Sequence, residues 1–134
     1  MLVKENIKLL IVHCSDTENG KDLGAEDIHK MHLEFGWDGI GYHKIIDRSG
    51  KIKNGRPEYW VGAHVKGKNN ESLGVCLIGR DKFTGKQYNS LVKLLKKWKV
   101  TYPNAKIVGH RDAVVTSKTC PNFDVISWCK SKYL

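Results

Sequence analysis

The sequence predicts an α/β fold: a single domain, residues 1–134, with a central mixed β-sheet flanked by helices. The main observation is that short apolar runs of strand length, at 7–13, 73–79 and 106–109, alternate along the chain with segments of helical periodicity. Strands that alternate with helices are typical of a sheet on which the helices pack. In addition, no internal repeat, low-complexity segment or linker divides the chain, and its length suffices to bury a core without disulfide bonds.

The first half of the chain predicts a buried strand, a helix and a hairpin. Residues 7–13 consist mostly of Leu, Ile and Val, as in a buried strand. Residues 25–35 carry side chains at positions i, i+3, i+4 and i+7 that predict a helix with an inward stripe of Ile28, Met31, His32 and Phe35. Gly36 follows as a helix stop signal. Residues 42–48 and 51–53 predict a hairpin across a short turn that contains a glycine.

The second half predicts a long loop, a strand, a helix, a further strand and a final helix. Residues 54–72 are rich in Gly, Asn and Pro, and a loop this long in a compact domain often carries function. Thr84 with Gln87 three residues later is a capping-box pattern, which predicts the start of a helix that runs to about Tyr102. The apolar face of this helix contains Tyr88, Leu91, Val92, Leu95, Trp98 and Tyr102. Asp124 predicts the start of the last helix, which carries Val125, Ile126 and Trp128.

The positive charge lies in one half of the chain. The net charge is +9, and residues 1–79 contain 11 basic and 11 acidic side chains, whereas residues 80–134 contain 12 and 3. A basic half favours an anionic partner such as an anionic polymer, a nucleic acid or an acidic protein, although a solvated helix face explains it equally well. Contact with nucleic acid is not favoured, because Leu95 and Trp98 of the lysine-rich segment 93–99 belong to the predicted buried face.

The N-terminus gives no sign of a targeting segment. Residues 1–6 lack the basic start, long apolar run and small-residue cleavage site of a signal peptide, and no apolar run is long enough to cross a bilayer. We therefore expect synthesis in the cytoplasm and no membrane insertion. In that compartment Cys14, Cys76, Cys120 and Cys129 are expected to remain free thiols.

The stretch after the third predicted strand stands out as a candidate site. It brings the imidazole of His110, the ammonium of Lys118 and the thiol of Cys120 within eleven residues. Neutral imidazole and thiolate are ligands that Zn²⁺ prefers, so His110 and Cys120 make half of a zinc site. A further ligand should be a histidine at the end of an apolar strand, and His13 occupies such a position. Neighbours on a strand point to opposite faces, so only one of His13 and Cys14 is expected to face the site.

Six motifs occur in a fixed order along the chain. They are Val12-His13-Cys14-Ser15, Gly39-Ile40-Gly41-Tyr42-His43, Gly62-Ala63-His64, Asn70-Glu71-Ser72-Leu73-Gly74-Val75-Cys76-Leu77-Ile78-Gly79, Gly109-His110-Arg111-Asp112 and Lys118-Thr119-Cys120-Pro121. The set resembles the zinc-dependent N-acetylmuramoyl-L-alanine amidases of the type-2 group, which also includes peptidoglycan-recognition proteins. It looks closest to the phage lysozyme-type amidases, and the resemblance covers roughly residues 7–128.

The resemblance implies a site as well as a fold. It makes His13, His110 and Cys120 the ligands of one Zn²⁺ per chain, with Tyr42 and Lys118 as the catalytic side chains. Three protein ligands leave the fourth tetrahedral position open, as in catalytic rather than structural zinc sites. The implied reaction is hydrolysis of the amide that joins N-acetylmuramic acid to L-alanine in peptidoglycan. Lys118 is then expected to stabilise the oxyanion, and the division of the proton transfers between Tyr42 and Lys118 stays open.

Other residues in or near these motifs are candidates for contact with the substrate. They are His32, His64, Asn70 and Thr119. For the two histidines a structural role has equal weight. His43 should face away from the side of its strand that carries Tyr42. Asp112 is a candidate acceptor for a ligand imidazole, a contact that would orient the ring.

More than one biological role agrees with the resemblance. The leading one is a phage or prophage endolysin that cleaves peptidoglycan after release from the cytoplasm, with the basic half drawn to anionic wall polymers. Alternatives are an intracellular amidase that trims recycled muropeptides and a bifunctional amidase that also contacts a polymerase or nucleic acid. A recognition protein that binds without cutting is disfavoured, because such members commonly lack the cysteine ligand and this chain has Cys120. We expect the protein to be a monomer.

Overall fold

A five-stranded mixed sheet with helices on both faces organises the computed structural model, which describes residues 1–134 and agrees with the predicted fold class. The strands are β1 (Leu9–Cys14), β2 (Lys44–Ile46), β3 (Ile52–Asn54), β4 (Ser72–Leu77) and β5 (Lys106–Gly109). The helices are α1 (Ala25–Glu34), α2 (Gly85–Thr101), α3 (His110–Ala113) and α4 (Val125–Ser131). No helix among them combines the length and the apolar character that crossing a membrane requires.

The strand order in the sheet is β3-β2-β4-β1-β5. Strand β1 pairs in parallel with β4 on one side and with β5 on the other, and β2 is parallel to β4. Strand β3 is antiparallel to β2, as the predicted hairpin requires. The carboxyl ends of the parallel strands therefore meet at one edge of the sheet. In open α/β sheets, ligands bind in the crevice beyond these ends.

Side-chain alternation along the strands divides the core into two layers. On β4, Val75 belongs to a large buried cluster together with Trp98 of α2 and Val125 of α4. Its neighbour Cys76 belongs to a smaller cluster with Ile28 of α1. Helices α2 and α4 therefore cover one face of the sheet and α1 covers the other. Burial on both faces explains why β1 and β4 appear in the sequence as continuous apolar runs.

Helix α2 begins as the capping-box pattern predicts. The Thr84 hydroxyl accepts a hydrogen bond from the backbone N–H of Gln87, and the Gln87 side-chain oxygen accepts one from the N–H of Thr84. The Gln87 amide also donates to the carbonyls of Ile46 and Ile78, at 3.2 and 2.8 Å. These bonds attach the start of the helix to the sheet. Leu94 joins the residues of the predicted buried face.

Two local predictions differ from the structure. Phe35 is predicted on the buried stripe of α1, yet its side chain is 62% exposed, because the helix ends at Glu34 and the chain reverses at Gly36, where φ is +85°. The sequence predicts no helix directly after β5, yet α3 begins there, and at its start the Gly109 N–H donates to Asp112 Oδ2 at 2.9 Å. Asp112 has no hydrogen bond to a ligand imidazole, so that expectation is wrong: the carboxylate caps the short helix instead.

Candidate metal centre and active-site pocket

Two histidines lie together at the edge where the parallel strands end. In the pairing of β1 with β5, Val12 lies opposite Gly109. The next residue of each segment is a histidine, so His13 and His110 lie side by side, with their ring centroids 4.8 Å apart. The parallel register thus brings together two candidate ligands that are far apart in the sequence.

Cys120 reaches the same place from the loop that follows α3. The backbone N–H of Arg111 donates to the Cys120 carbonyl at 3.0 Å, and the N–H of Cys14 donates to its Sγ at 3.1 Å. The candidate ligand atoms of His13, His110 and Cys120 all lie within 4.8 Å of one another. The three residues predicted to bind zinc therefore converge on one point.

The protonation states of the two histidines suit a metal ion. Burial, together with nearby His64 and His110, holds the pKa of His13 well below its usual range. Burial and the positive charge of Lys118 lower the pKa of His110. Both imidazoles are therefore neutral at about pH 7, the form that has a free lone pair for a metal. Two imidazole nitrogens and one sulfur are a donor set that Zn²⁺ accepts, so the residues present fit the ion.

The two cysteines at the site lie closer together than strand alternation predicts. Cys14 was expected to point away if His13 faces the site, yet its Sγ lies 3.6 Å from the Sγ of Cys120. The expectation is wrong because β1 ends at Cys14, so Cys120 lies across the end of the strand and is reached from both of its faces. The neighbouring Cys14 thiol and burial raise the pKa of Cys120. Metal binding must therefore displace a proton from this sulfur.

Tyr42 and Lys118 line the same cavity as the three candidate ligands. The volume of this cavity is about 420 Å³. The ring centroid of Tyr42 lies 5.0 Å from that of His13. Burial, reinforced by the thiols around the ring, raises the pKa of Tyr42 well above its usual range, so the phenol keeps its proton and can donate a hydrogen bond. Lys118 is exposed to solvent and brings a positive charge to the cavity.

The four residues predicted to contact the substrate occupy different environments. His64 and Thr119 line the cavity, whereas His32 and Asn70 do not. His32 is buried, and its Nδ1 accepts a hydrogen bond from the Gly41 N–H at 2.8 Å, which favours the structural alternative for this residue. Asn70 is exposed in a single 3₁₀ turn that precedes β4.

His43 is buried and lies outside the cavity lining, as alternation with Tyr42 predicts. Its Nδ1 accepts a hydrogen bond from the Gly74 N–H at 3.1 Å. Its Nε2 is therefore the protonated nitrogen of the neutral ring and donates to the Trp60 carbonyl at 2.8 Å. Both ring nitrogens of His43 thus hold backbone groups in place.

Trp37 also lines the cavity, although sequence reasoning did not single it out. Its side chain is 41% exposed, and its ring packs against His32 with 4.5 Å between centroids. The signal that could have found it is an aromatic residue between Gly36 and Gly39, just beyond the end of a helix.

The fold and the cavity together define a class of protein: an α/β enzyme domain with a candidate His-His-Cys metal centre where parallel strands end. A family model described as N-acetylmuramoyl-L-alanine amidase matches residues 3–123 of the chain. The chain belongs to this family.

Individual relatives agree with this assignment. The chain is 40% identical over 136 residues to the endolysin of Enterobacteria phage K11, covering 96% of this chain and 89% of the endolysin. Among solved structures, it is similar to the N-acetylmuramoyl-L-alanine amidase LysC from Clostridium intestinale URNW, with a TM-score of 0.85, 29% identity, and coverage of 97% and 87%. It is also similar to a variant of Drosophila PGRP-LB in complex with tracheal cytotoxin, with a TM-score of 0.79, 25% identity, and coverage of 93% and 80%.

Proposed function

We propose that the protein hydrolyses the amide between N-acetylmuramic acid and L-alanine in peptidoglycan, with one Zn²⁺ held by His13, His110 and Cys120. The observation that carries this proposal is the convergence of the three ligand atoms within 4.8 Å, in a cavity that Tyr42 and Lys118 also line. Ligands, hydrogen-bond donor and positive charge are thus gathered around one space that is open to a substrate.

When bound, Zn²⁺ supplies Lewis acidity and a water whose pKa is lowered to about 7. The side chains of the protein provide the remaining functions. The Lys118 ammonium balances the negative charge that develops on the carbonyl oxygen, and the Tyr42 phenol donates a hydrogen bond to the same oxygen. Lys118 is also the group that we assign to protonate the leaving amine, because it is exposed and can exchange protons with solvent.

Substrate contacts are assigned to the exposed part of the cavity lining. Thr119 adjoins both Lys118 and Cys120 in the sequence and lines the cavity. Trp37 offers a partly exposed aromatic face that suits the apolar side of a sugar ring or a peptide side chain. The tracheal cytotoxin complex of the PGRP-LB variant supports a ligand of muropeptide type for this fold.

We further propose that the enzyme acts as a phage or prophage endolysin on the wall of a bacterium after release from the cytoplasm. The 40% identity to an endolysin over nearly the whole chain supports this role. The excess of basic side chains in residues 80–134 supports an accessory attraction to anionic wall polymers. Nucleic acid is a weaker candidate for that attraction, because Leu95 and Trp98 of the lysine-rich helix segment are buried and unavailable for stacking on bases.

The test is digestion of purified sacculi, measured as loss of turbidity, together with identification of the new chain ends. We expect activity that a chelator abolishes and added Zn²⁺ restores, with free N-terminal alanine as the new end. The Cys120→Ala variant should be inactive, whereas Lys21→Ala, a change at an exposed lysine outside the cavity, should behave as wild type. New reducing sugar ends in place of new amino ends would overturn the proposed reaction.

A comparison of two substrates separates the endolysin from a recycling amidase. An endolysin should cleave intact sacculi at a rate comparable to that for soluble muropeptides of the same chemistry. An enzyme that processes recycled fragments should cleave only the soluble muropeptides. The latter result would leave the chemistry unchanged and overturn the proposed biological role.

A further inference from the structure

A chain of hydrogen bonds leads from the candidate metal centre into the protein interior. His13 Nε2 lies 2.8 Å from His64 Nδ1. On the other side of the His64 ring, Nε2 lies 3.3 Å from the hydroxyl of Ser72, and this hydroxyl donates to the Lys68 carbonyl at 2.7 Å. Four groups from three segments of the chain are therefore connected in series.

The end of this chain determines the direction of every bond in it. A backbone carbonyl only accepts, so the single hydroxyl proton of Ser72 is directed to Lys68. The Ser72 oxygen must then accept from the Nε2–H of His64. His64 is a neutral imidazole with no carboxylate partner, so its Nδ1 carries the lone pair and accepts from the Nε2–H of His13. The Nδ1 of His13 is left with its lone pair free.

The residues around His64 hold its ring in one orientation. A Cβ atom at Gly74 would lie 2.7 Å from His64 Nδ1, and one at Gly62 would lie 2.6 Å from its Cδ2, so both glycines are needed for the ring to fit. The backbone N–H groups of His64 and Val65 both donate to Asn69 Oδ1, at 3.0 and 2.9 Å. Ring and backbone are therefore both held in place.

We infer that His64 is a positioning residue: it fixes the tautomer and the ring orientation of His13, so that His13 presents Nδ1 to the metal. Ser72 fixes the tautomer of His64 in the same way, and we call the series from His13 through His64 and Ser72 to the Lys68 carbonyl the relay. Partners of this kind hold the imidazole ligands of metal sites and raise their affinity for the ion. The inference rests on the proposed zinc site. It also replaces the expectation that His64 binds substrate, since both of its ring nitrogens are engaged within the protein.

The first test measures the affinity for Zn²⁺ by competition with a chromogenic chelator. His64→Leu removes the acceptor and should weaken zinc binding about 10- to 100-fold. His64→Asn keeps a carbonyl oxygen one bond from Cγ, where histidine has Nδ1, and should restore most of the affinity. If the Asn variant binds zinc as weakly as the Leu variant, or if the Leu variant binds as tightly as wild type, the relay is wrong.

Ser72 provides a matched second step. Ser72→Ala should weaken zinc binding in the wild-type background, because His64 Nε2 loses its acceptor and the ring is free to take the other tautomer. The same change should have no further effect in the His64→Asn background, because asparagine has no nitrogen in the position of Nε2. Equal effects in both backgrounds would show that Ser72 acts only through general packing and would overturn its part in the relay.

The second test reads the tautomers directly in the wild-type protein and does not depend on a variant that folds. Long-range ¹H–¹⁵N correlation spectra should show His13 and His64 each protonated at Nε2, with a scalar coupling across the bond between His13 Nε2 and His64 Nδ1. Protonation of His64 at Nδ1 would overturn the inference. Failure of the wild-type protein to bind zinc would instead overturn the proposed function, while these spectra would still decide whether the relay exists.

Discussion

The cavity has two walls that differ in how the protein holds them. The inner wall consists of His13, Tyr42 and His64, which lie on or against the sheet. The outer wall consists of Lys118, Thr119 and Asn122, which lie in the loop between α3 and α4. Inner-wall side chains are largely shielded from solvent and neutral, whereas Lys118 and Thr119 are exposed.

The difference between the walls assigns separate tasks to them. In the inner wall, hydrogen bonding and packing hold His13 in place, as the proposed zinc site requires of a ligand. The outer wall provides the charge of Lys118 and the polar side chain of Thr119 from a loop that is exposed to solvent. Cys120 belongs to the loop but touches the end of β1, so it joins the two walls.

The largest expected effect is at this junction. Cys120→Ala should abolish both zinc binding and hydrolysis, because two imidazoles alone do not make a catalytic zinc site. Cys14→Ala is the matched control. The Cys14 sulfur lies 3.6 Å from that of Cys120 but is not one of the three converging ligand atoms, and the variant keeps the backbone N–H that donates to Cys120. Metal content and sacculus digestion measure both variants. Loss of zinc from the Cys14 variant alone would show that the wrong cysteine has been assigned.

The outer wall is tested next by Lys118→Ala. Loss of the charge beside the developing oxyanion should lower kcat about 10²- to 10³-fold while the metal stays bound. Lys21→Ala, which removes an equal charge from an exposed position elsewhere, should leave kcat unchanged. Steady-state kinetics on a soluble muropeptide, with metal content measured in parallel, distinguish a catalytic defect from loss of the ion. Full turnover by the zinc-loaded Lys118 variant would remove this residue from the mechanism.

A smaller effect on turnover is expected at the inner wall for Tyr42→Phe. The change removes one hydrogen bond to a charged group, which corresponds to about 10- to 100-fold in kcat, and leaves the ring packing intact. Zinc affinity should not change, because the phenol is not a ligand. A loss as large as that of the Lys118 variant would instead assign the leaving-group proton to Tyr42.

The inner wall also predicts a loss of stability in acid. Burial lowers the pKa of His13 well below its usual range and lowers that of His64 to about 3. In the unfolded chain both titrate near about 6.5, so below that pH the unfolded state binds more protons than the folded state. The free energy of unfolding of the metal-free protein should therefore decrease as the pH is lowered below about 6.5, by about 1.4 kcal/mol per pH unit for each imidazole.

Urea denaturation at a series of pH values measures this slope. The His64→Asn variant should show a slope that is smaller by the contribution of one imidazole. Stability that does not change between about pH 6.5 and 4.5 would contradict the burial of neutral histidines in the inner wall.

The smallest effect is expected far from both walls, on the exposed lysines of α2. Replacing Lys93, Lys96 and Lys97 by Gln should change the free energy of unfolding by no more than about 0.5 kcal/mol per site and leave turnover of soluble muropeptide unchanged. Binding to sacculi should become less sensitive to salt. The control is a triple Gln variant of Lys4, Lys21 and Lys30, which carries the same charge change in the other half of the chain. If binding to sacculi changes equally in both variants, the effect comes from net charge and not from the position of the lysines on α2.

The two walls also differ in how well the sequence predicts them. The strands of the inner wall have strong apolar periodicity, so the position of His13 at a strand end, and of His110 beyond another, follows from the pattern. The parallel pairing of Val12 with Gly109 then brings the two rings together. The burial of Trp98 on the lysine-rich helix is predicted for the same reason.

Loop geometry was not predictable in the same way. The contact of Cys14 with Cys120 and the place of Trp37 in the cavity depend on the paths of segments without periodicity. The sequence makes Asp112 a candidate acceptor for a ligand imidazole, yet its carboxylate accepts from the Gly109 N–H at the start of α3. A nearby backbone N–H can therefore bind a side chain whose partner the sequence spacing alone does not determine.

The two-residue separation of Lys118 from Cys120 has a consequence for control of the enzyme. The Cys14 N–H holds the Cys120 sulfur at 3.1 Å, and the Arg111 N–H donates to the Cys120 carbonyl at 3.0 Å. The protein itself therefore fastens the loop to the end of β1 and keeps Lys118 at the cavity. Removal of zinc by a chelator is expected to stop hydrolysis without displacing the lysine, so that added zinc restores activity without refolding.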